Sequence, residues 1–352
     1  MKKIILFILI LCCTPISFLF GASSKLVNPA QPEINPVQTA LLSEQVGPEN
    51  PEKVVLPNPK LKYRGTLLLT SPHPAFGGFS DLLISKDRTT FLAVSDMGFW
   101  LKGKLNYTPS GFLKSVEREA ELGQLLDTKG KTFSIKYNAD AEGLCRAPQL
   151  NHSDTSDSGY LVSFERVHRI NHYNSGKHLD LSGKATTVPL PELIRKSPLN
   201  GGIESMLLLP DNTLFVLTED GNSDDAISAG ALLNNGEWLT FKYKRNSDFR
   251  PTSAGNLNND KILVLERRYK GPGTLGIRIN TIERDKIVQG KTVFPDLFCN
   301  IIPPIPRDNY EGMDTVMGPG ETIWIYIISD DNFSPAQHTL LTLFELDLSA
   351  EN

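Results

Sequence analysis

The chain has 352 residues, with 36 Lys and Arg against 40 Asp and Glu, a formal charge of −4 and an apolar share of 40%. A mildly acidic balance lacks the basic field that nucleic acid or an anionic membrane surface requires, so neither is an expected partner. The length is ample for a large hydrophobic core.

Lys2 and Lys3 precede an apolar run over residues 4–20, and Gly21, Ala22, Ser23 and Ser24 then offer a cleavage site. Residues 1–24 therefore read as an export signal, which predicts a periplasmic or secreted protein. The alternative is an uncleaved anchor, because the run stops just short of the roughly 20 residues that span a bilayer. Cys12 and Cys13 are preceded by Leu11 and Cys12, not by the small residue of a lipoprotein signal. No other segment is long and apolar enough to cross a membrane. Loss of the leader removes Lys2, Lys3 and no acid, taking the charge from −4 to −6. Only Cys145 and Cys299 then remain. An oxidising compartment permits one disulfide between them, and two buried thiols are the alternative.

Residues 25–61 are punctuated by Pro29, Pro32, Pro36, Pro48, Pro51, Pro57 and Pro59 and read as an extended linker. A weak helical pattern lies over residues 37–46. Strand signals begin at residue 62 and run to about 350. Residues 63–70 form one expected strand outside the repeats described next.

Five segments repeat one pattern: an acidic or small residue, an apolar run, a turn, and a second apolar run ending in acids. They run from Gly77-Gly78-Phe79-Ser80-Asp81 to Asp96, from Asp140-Ala141-Glu142-Gly143 to Glu165-Arg166, and from Gly201-Gly202-Ile203-Glu204 to Glu219-Asp220. The last two run from Pro251-Thr252-Ser253 to Glu266-Arg267-Arg268 and from Asn309-Tyr310-Glu311-Gly312 to Asp330-Asp331. A period of roughly 50–60 residues holding paired strand-length runs predicts an all-β propeller of four-stranded blades. Five motifs predict five blades, or six if one blade has lost its motif. The strand at 63–70 would close the ring by joining a last blade built from runs at 322–328 and 339–346. Helical pattern is confined to residues 113–126 and 191–196.

In a propeller, equivalent positions of the repeats lie at equivalent depths around the central channel. Glu142, Glu204 and Glu311 are therefore expected to converge, as catalytic and metal-ligating candidates. Converging carboxylates repel unless a cation or protons neutralise them, and an all-oxygen set suits a divalent cation such as Ca²⁺ or Mg²⁺. The alternative is that each glutamate caps backbone amides at its own strand end. Asp330 and Asp331 complete the metal candidates. Arg166, Arg169, Arg267 and Arg268 are candidates for binding an anionic substrate, or for bridging carboxylates of neighbouring blades.

Other solutions are set aside. There is no Gly-x-Ser-x-Gly elbow, His-Glu-x-x-His helix or phosphate-binding Gly-Lys-Ser/Thr loop. His168 and His172 fall in a stretch that reads as two strands, which argues against a helical metal pair. Asn151-His152-Ser153 matches a glycosylation sequon but carries no weight beside a bacterial-type leader.

Ser95-Asp96-Met97-Gly98, Asp140-Ala141-Glu142-Gly143-Leu144, Ser163-Phe164-Glu165-Arg166, Asn200-Gly201-Gly202-Ile203-Glu204, Leu265-Glu266-Arg267-Arg268, Asn309-Tyr310-Glu311-Gly312-Met313 and Ser329-Asp330-Asp331-Asn332-Phe333 together resemble the phytase-like propeller family labelled "esterase-like activity of phytase". The resemblance covers residues 62–346 and implies an exported propeller related to phosphoester-cleaving ones. Ser253 and Ser80 depart from the acidic residues expected of the family. The expectation is an exported, metal-assisted hydrolase of a small phosphate ester or other ester. The alternative is a non-catalytic propeller that binds a ligand or partner on one face.

Overall fold

A computed structural model describes residues 36–148, 159–174, 179–221, 226–246, 248–271 and 273–349. The expected leader and the Asn151 sequon lie outside the described residues. Five antiparallel sheets form the blades. Their innermost strands are Phe79–Ile84, Ala141–Arg146, Ile203–Leu208, Arg250–Asn256 and Asn309–Met317, and these touch one another in a closed cycle. The chain is a five-bladed β-propeller.

Second strands follow in the order Thr90–Ser95, Tyr160–Phe164, Leu214–Thr218, Lys261–Arg268 and Thr322–Asp330. They read as continuous Leu, Ile, Val and Phe runs because both faces are covered by neighbouring blades. Leu214–Thr218, for example, is buried at every position. Among the described residues no helix is long and apolar enough to cross a membrane.

Ring closure takes the expected form and goes further. Leu61–Thr70 pairs antiparallel with Leu340–Asp347 and completes the fifth blade. Residues 37–46, expected as a weak helix within the linker, instead form two strands. Val37–Ala40 adds to the outer edge of the first blade, and Leu42–Val46 adds to the outer edge of the fifth. Leu41 between them is 1% exposed, wedged in the seam of the two blades. Two open sheet edges offer this segment a full ladder of backbone partners, which outweighs a marginal helical pattern.

The helix expected at 113–126 is likewise a pair of strands, Leu113–Val116 and Glu119–Gln124, both hydrogen-bonded to Phe99–Tyr107. Its apolar residues at 113, 116 and 120 are helix-spaced only because a bend separates the two strands. The short helix Glu192–Arg195 matches its expectation. Cys145 and Cys299 are both free and buried, in different blades.

One buried carboxylate pins the channel. Asp81 is 1% exposed and accepts hydrogen bonds from the backbone N–H of Leu82 (2.9 Å) and Leu144 (2.8 Å), from the Ser253 hydroxyl (3.0 Å) and from the N–H of Met313 (3.2 Å). A residue of the first blade thus ties the second, fourth and fifth. Gly312 makes this possible, since a Cβ there would lie 2.6 Å from the Asp81 Cα. The glycine of that motif therefore admits a neighbouring strand.

Candidate functional site

Every inner strand carries a β-bulge at the equivalent place, after the first one or two pairs of its hydrogen-bonded ladder. The extra residue is Ser80, Glu204, Thr252 or Glu311 in four blades, and it falls at Glu142-Gly143 in the second. A bulge turns its side chain out of the alternating pattern, which is how a strand re-aims a residue toward a site. Glu142, Glu204 and Glu311 therefore converge, as the repeat predicts. Thr252, not Ser253, is their counterpart in the fourth blade, and Ser253 instead supports Asp81 one layer down.

A second ring comes from the residues that end the second strands: Asp96, Glu165, Glu219, Arg267 and Asp330. Four blades supply an acid and the fourth blade supplies Arg267. Its guanidinium reaches Glu311 at 3.0 Å and Glu219 at 3.8 Å, in the two blades that flank it. Glu266, which leads the same acidic cluster in the sequence, turns away and is fully buried between Arg278 (2.6 Å) and the Tyr243 hydroxyl (2.8 Å).

The two rings bring carboxylates into two trios that share Glu165. Asp140, Glu142 and Glu165 form one, and Glu165, Glu204 and Glu219 the other, with carboxylate oxygens within 4.8 Å of one another in each. Glu165 accepts from the Gly202 N–H at 3.0 Å, and Asp140 is paired with Lys136 and Arg166. Among the described residues, no hydrogen bond or ion pair engages the carboxylate of Glu142 or Glu204. Both are pushed well above the usual carboxylate range, first by burial and then by the acids facing them. The strand-capping alternative fails for these two, which cap nothing.

A family model described as "Phytase-like: Esterase-like activity of phytase" matches residues 74–333. The chain belongs to the phytase-like family. No curated protein sequence matches it. Solved structures similar to it are distant. The PQQ-bound aldose sugar dehydrogenase of Streptomyces coelicolor is 11% identical at a TM-score of 0.42, with 80% of this chain and 98% of that one covered. A protein of unknown function from Dyadobacter fermentans is 13% identical at 0.40, covering 89% and 94%. The tail fiber of Staphylococcus aureus phage P68 is 12% identical at 0.40, covering 78% of this chain, which spans only 50% of the fiber chain. None of these likenesses bears on activity.

Within this phytase-like propeller the remaining candidates divide. Glu311 stands in the ring but is held by Arg267 and by the Asn309 side-chain amide at 2.7 Å. Its Oε2 is buried with no partner, and burial lifts the group to about 7 against the pull of Arg267. Asp330 caps the Asn332 N–H at 2.6 Å, and Asp331 caps Gly78 at 2.9 Å and Phe333 at 3.0 Å. Asp330, the fifth blade's member of the second ring, and Asp331 next to it both build the turn there and lie outside the two trios.

Arg166 serves Asp140. Arg169 is stacked on Phe164, 3.9 Å from the centre of the aromatic ring, and donates to the carbonyls of Asn138 and Val167, so it anchors a loop. Arg268 lies over Phe249 at 4.8 Å. Of the four arginines read from the sequence, Arg166 and Arg267 reach the carboxylates. Lys136 was not foreseen; it sits on the short helix Lys136–Ala139 and bridges Asp96 and Asp140.

Crowded acids make a pH prediction. Glu165 and Glu311 are both lifted to about 7, so the folded protein holds protons that the unfolded chain has already released at the ordinary carboxylate range. Their contribution is complete below that range and is lost as pH rises through about 7. In cation-free buffer the melting temperature is expected to fall as pH rises across this window, and a divalent cation should flatten the fall. A melting temperature that rises over the same window in chelator would contradict the crowding.

Proposed function

We propose that the protein is an exported, metal-assisted hydrolase of phosphate esters or other esters. The observation that carries the reading is the pair of unengaged carboxylates, Glu142 and Glu204, flanking Glu165. An oxygen-only donor set with negative charge in excess of its local cations fits a hard divalent ion, with Ca²⁺ the first choice. Asp140, Glu142, Glu165, Glu204 and Glu219 would hold it, and when bound it would act as a Lewis acid toward the ester.

The chain's own residues supply the rest. Arg267 places a fixed positive charge at the edge of the ring, where an anionic group approaching the carboxylates would otherwise be repelled. Glu311, lifted to about 7 with Oε2 unpartnered, is suited to take or give a proton at that atom near neutral pH. The fixed bulges hold these groups on strands and not on loops, which limits their reorganisation during a reaction.

Hydrolysis of an aryl phosphate and of an aryl carboxylic ester, each assayed with Ca²⁺, Mg²⁺ or Mn²⁺ and with chelator, tests this. Cation-dependent turnover on either ester is expected. Turnover on neither ester with any of the cations would favour a ligand-binding propeller, a reading that the ion pairs of Lys136 and Arg267 also serve as scaffold.

A further inference from the structure

Beside the acidic ring the surface changes sign. A cleft of about 360 Å³ opens between the third and fourth blades and shares Glu219 and Arg267 with the ring. Its other charged walls are Arg245, Arg250, Lys270 and Asp248, so four cations face two acids. None of Arg245, Arg250 or Lys270 belongs to the sequence motifs: Arg245 and Lys270 lie just past the ends of strands, and Arg250 begins the inner strand Arg250–Asn256 one residue before the motif that starts at Pro251.

The cations are of two kinds. Arg245 is 8% exposed and locked to Asp220 at 2.7 Å, while its Nε is buried without a partner. The Arg267 Nε is also buried without a partner. These two are fixed. Arg250 is 45% exposed and only loosely held, at 3.2 Å from Asp220 and 3.9 Å from Glu219. Lys270 is 58% exposed and meets Asp248 at 2.5 Å, a pair open to solvent on both sides and so of little energetic weight. Arg250 and Lys270 can therefore turn to a ligand at small cost. Tyr269, 59% exposed, stands beside Lys270 and offers an aromatic face at the lip.

We infer that this cleft binds the phosphate group of a phosphorylated small molecule, with Arg250 and Lys270 as its movable donors and Tyr269 against the organic part. Guanidinium forks match the paired oxygens of a tetrahedral dianion, and a neighbouring ammonium adds charge without geometric demand. A cleft of this size admits one such group with a small substituent and not a polymer. Glu219 and Asp248 bias the site against bulky anions that cannot keep clear of them. The inference deepens the hydrolase reading by naming where the substrate's charge is held.

The test is made in chelator, so that it does not depend on the ring holding a cation. Binding of inorganic phosphate and of phenyl phosphate is measured by calorimetry at constant ionic strength, on the unaltered protein, on Arg250→Gln/Lys270→Gln and on Glu142→Gln/Glu204→Gln. Phosphate is expected to bind the unaltered protein and the ring variant alike, and to bind the cleft variant about tenfold more weakly or worse, the loss of one to two charge-assisted contacts. Phenyl phosphate should bind more tightly than phosphate, and Tyr269→Ala should remove that difference. Lys270→Gln alone, at an exposed residue, gives the same reading if the paired substitution unfolds the protein. Phosphate binding that needs Ca²⁺ and disappears in the ring variant would overturn the cleft while leaving the hydrolase reading standing. No phosphate binding under either condition would overturn it as well.

Discussion

Replacing Asp81 by Ala is expected to destabilise the protein by at least about 4 kcal/mol, the largest effect of any single substitution considered. The carboxylate is buried and accepts from donors in three other blades, Leu144, Ser253 and Met313. Ala leaves the N–H groups of Leu82, Leu144 and Met313 in the channel without that acceptor, while the Ser253 hydroxyl can still donate to the Met313 carbonyl at 3.2 Å. Each orphaned donor costs about 1–3 kcal/mol. Ser253→Ala removes one of those bonds together with its donor and should cost only about 1 kcal/mol. Urea unfolding of the two variants beside the unaltered protein makes the comparison. A loss for Asp81→Ala no greater than that for Ser253→Ala would show that the blades hold together without the pin.

Joint replacement of Glu142 and Glu204 by Gln is expected to change stability in opposite directions with and without a divalent cation. In chelator the variant should melt higher than the unaltered protein, because two buried carboxylates that repel their neighbours have been made neutral at constant shape. With Ca²⁺ the order should reverse. A ligand of the folded state alone stabilises by about 2.7 kcal/mol at a hundredfold excess over its dissociation constant, and the variant forfeits that gain. Ester hydrolysis should fall to background in the same variant. Arg267→Ala should instead chiefly raise KM, since it removes a contact to the substrate's charge and not the donor set. A calcium response that survives the double substitution would place the cation elsewhere on the ring.

The repeats made the propeller legible, because each pairs a bulged inner strand with a fully apolar second strand whose turn is marked by Gly, Pro, Asn or Asp. Glu142, Glu204 and Glu311 were legible for the same reason: a glutamate before Gly or Ser recurs at one place in three repeats. Glu165 and Glu219 carried only the look of a terminal acid, indistinguishable in sequence from Glu266, which faces the opposite way. The difference is one residue of register, since Glu266 pairs with Pro251 inside the ladder while Glu165 and Glu219 lie just beyond its end. Asp81 gave no signal at all. Its role depends on the close approach of four inner strands, a tertiary fact that no local pattern encodes. Arg245 was missed because it lies outside the repeated positions, and Arg250 because the fourth motif was read from Pro251, one residue after it. Arg169 was over-read because its aromatic partners, Phe133 and Phe164, come from separate segments.

The closing seam also sets an order of events during synthesis. Arg64 bonds Glu345 at 2.8 Å across 281 residues of sequence, within the ladder of Leu61–Thr70 and Leu340–Asp347. Until the final strand has left the ribosome, Leu61–Thr70 lacks that ladder, and a nascent chain has nothing with which to complete its fifth blade. Bringing such distant segments together is slow relative to local pairing. The ring is thus a structure that the chain can adopt only once Leu340–Asp347 has been made, and loss of that strand by premature termination would leave a broad apolar edge open to another copy's strand.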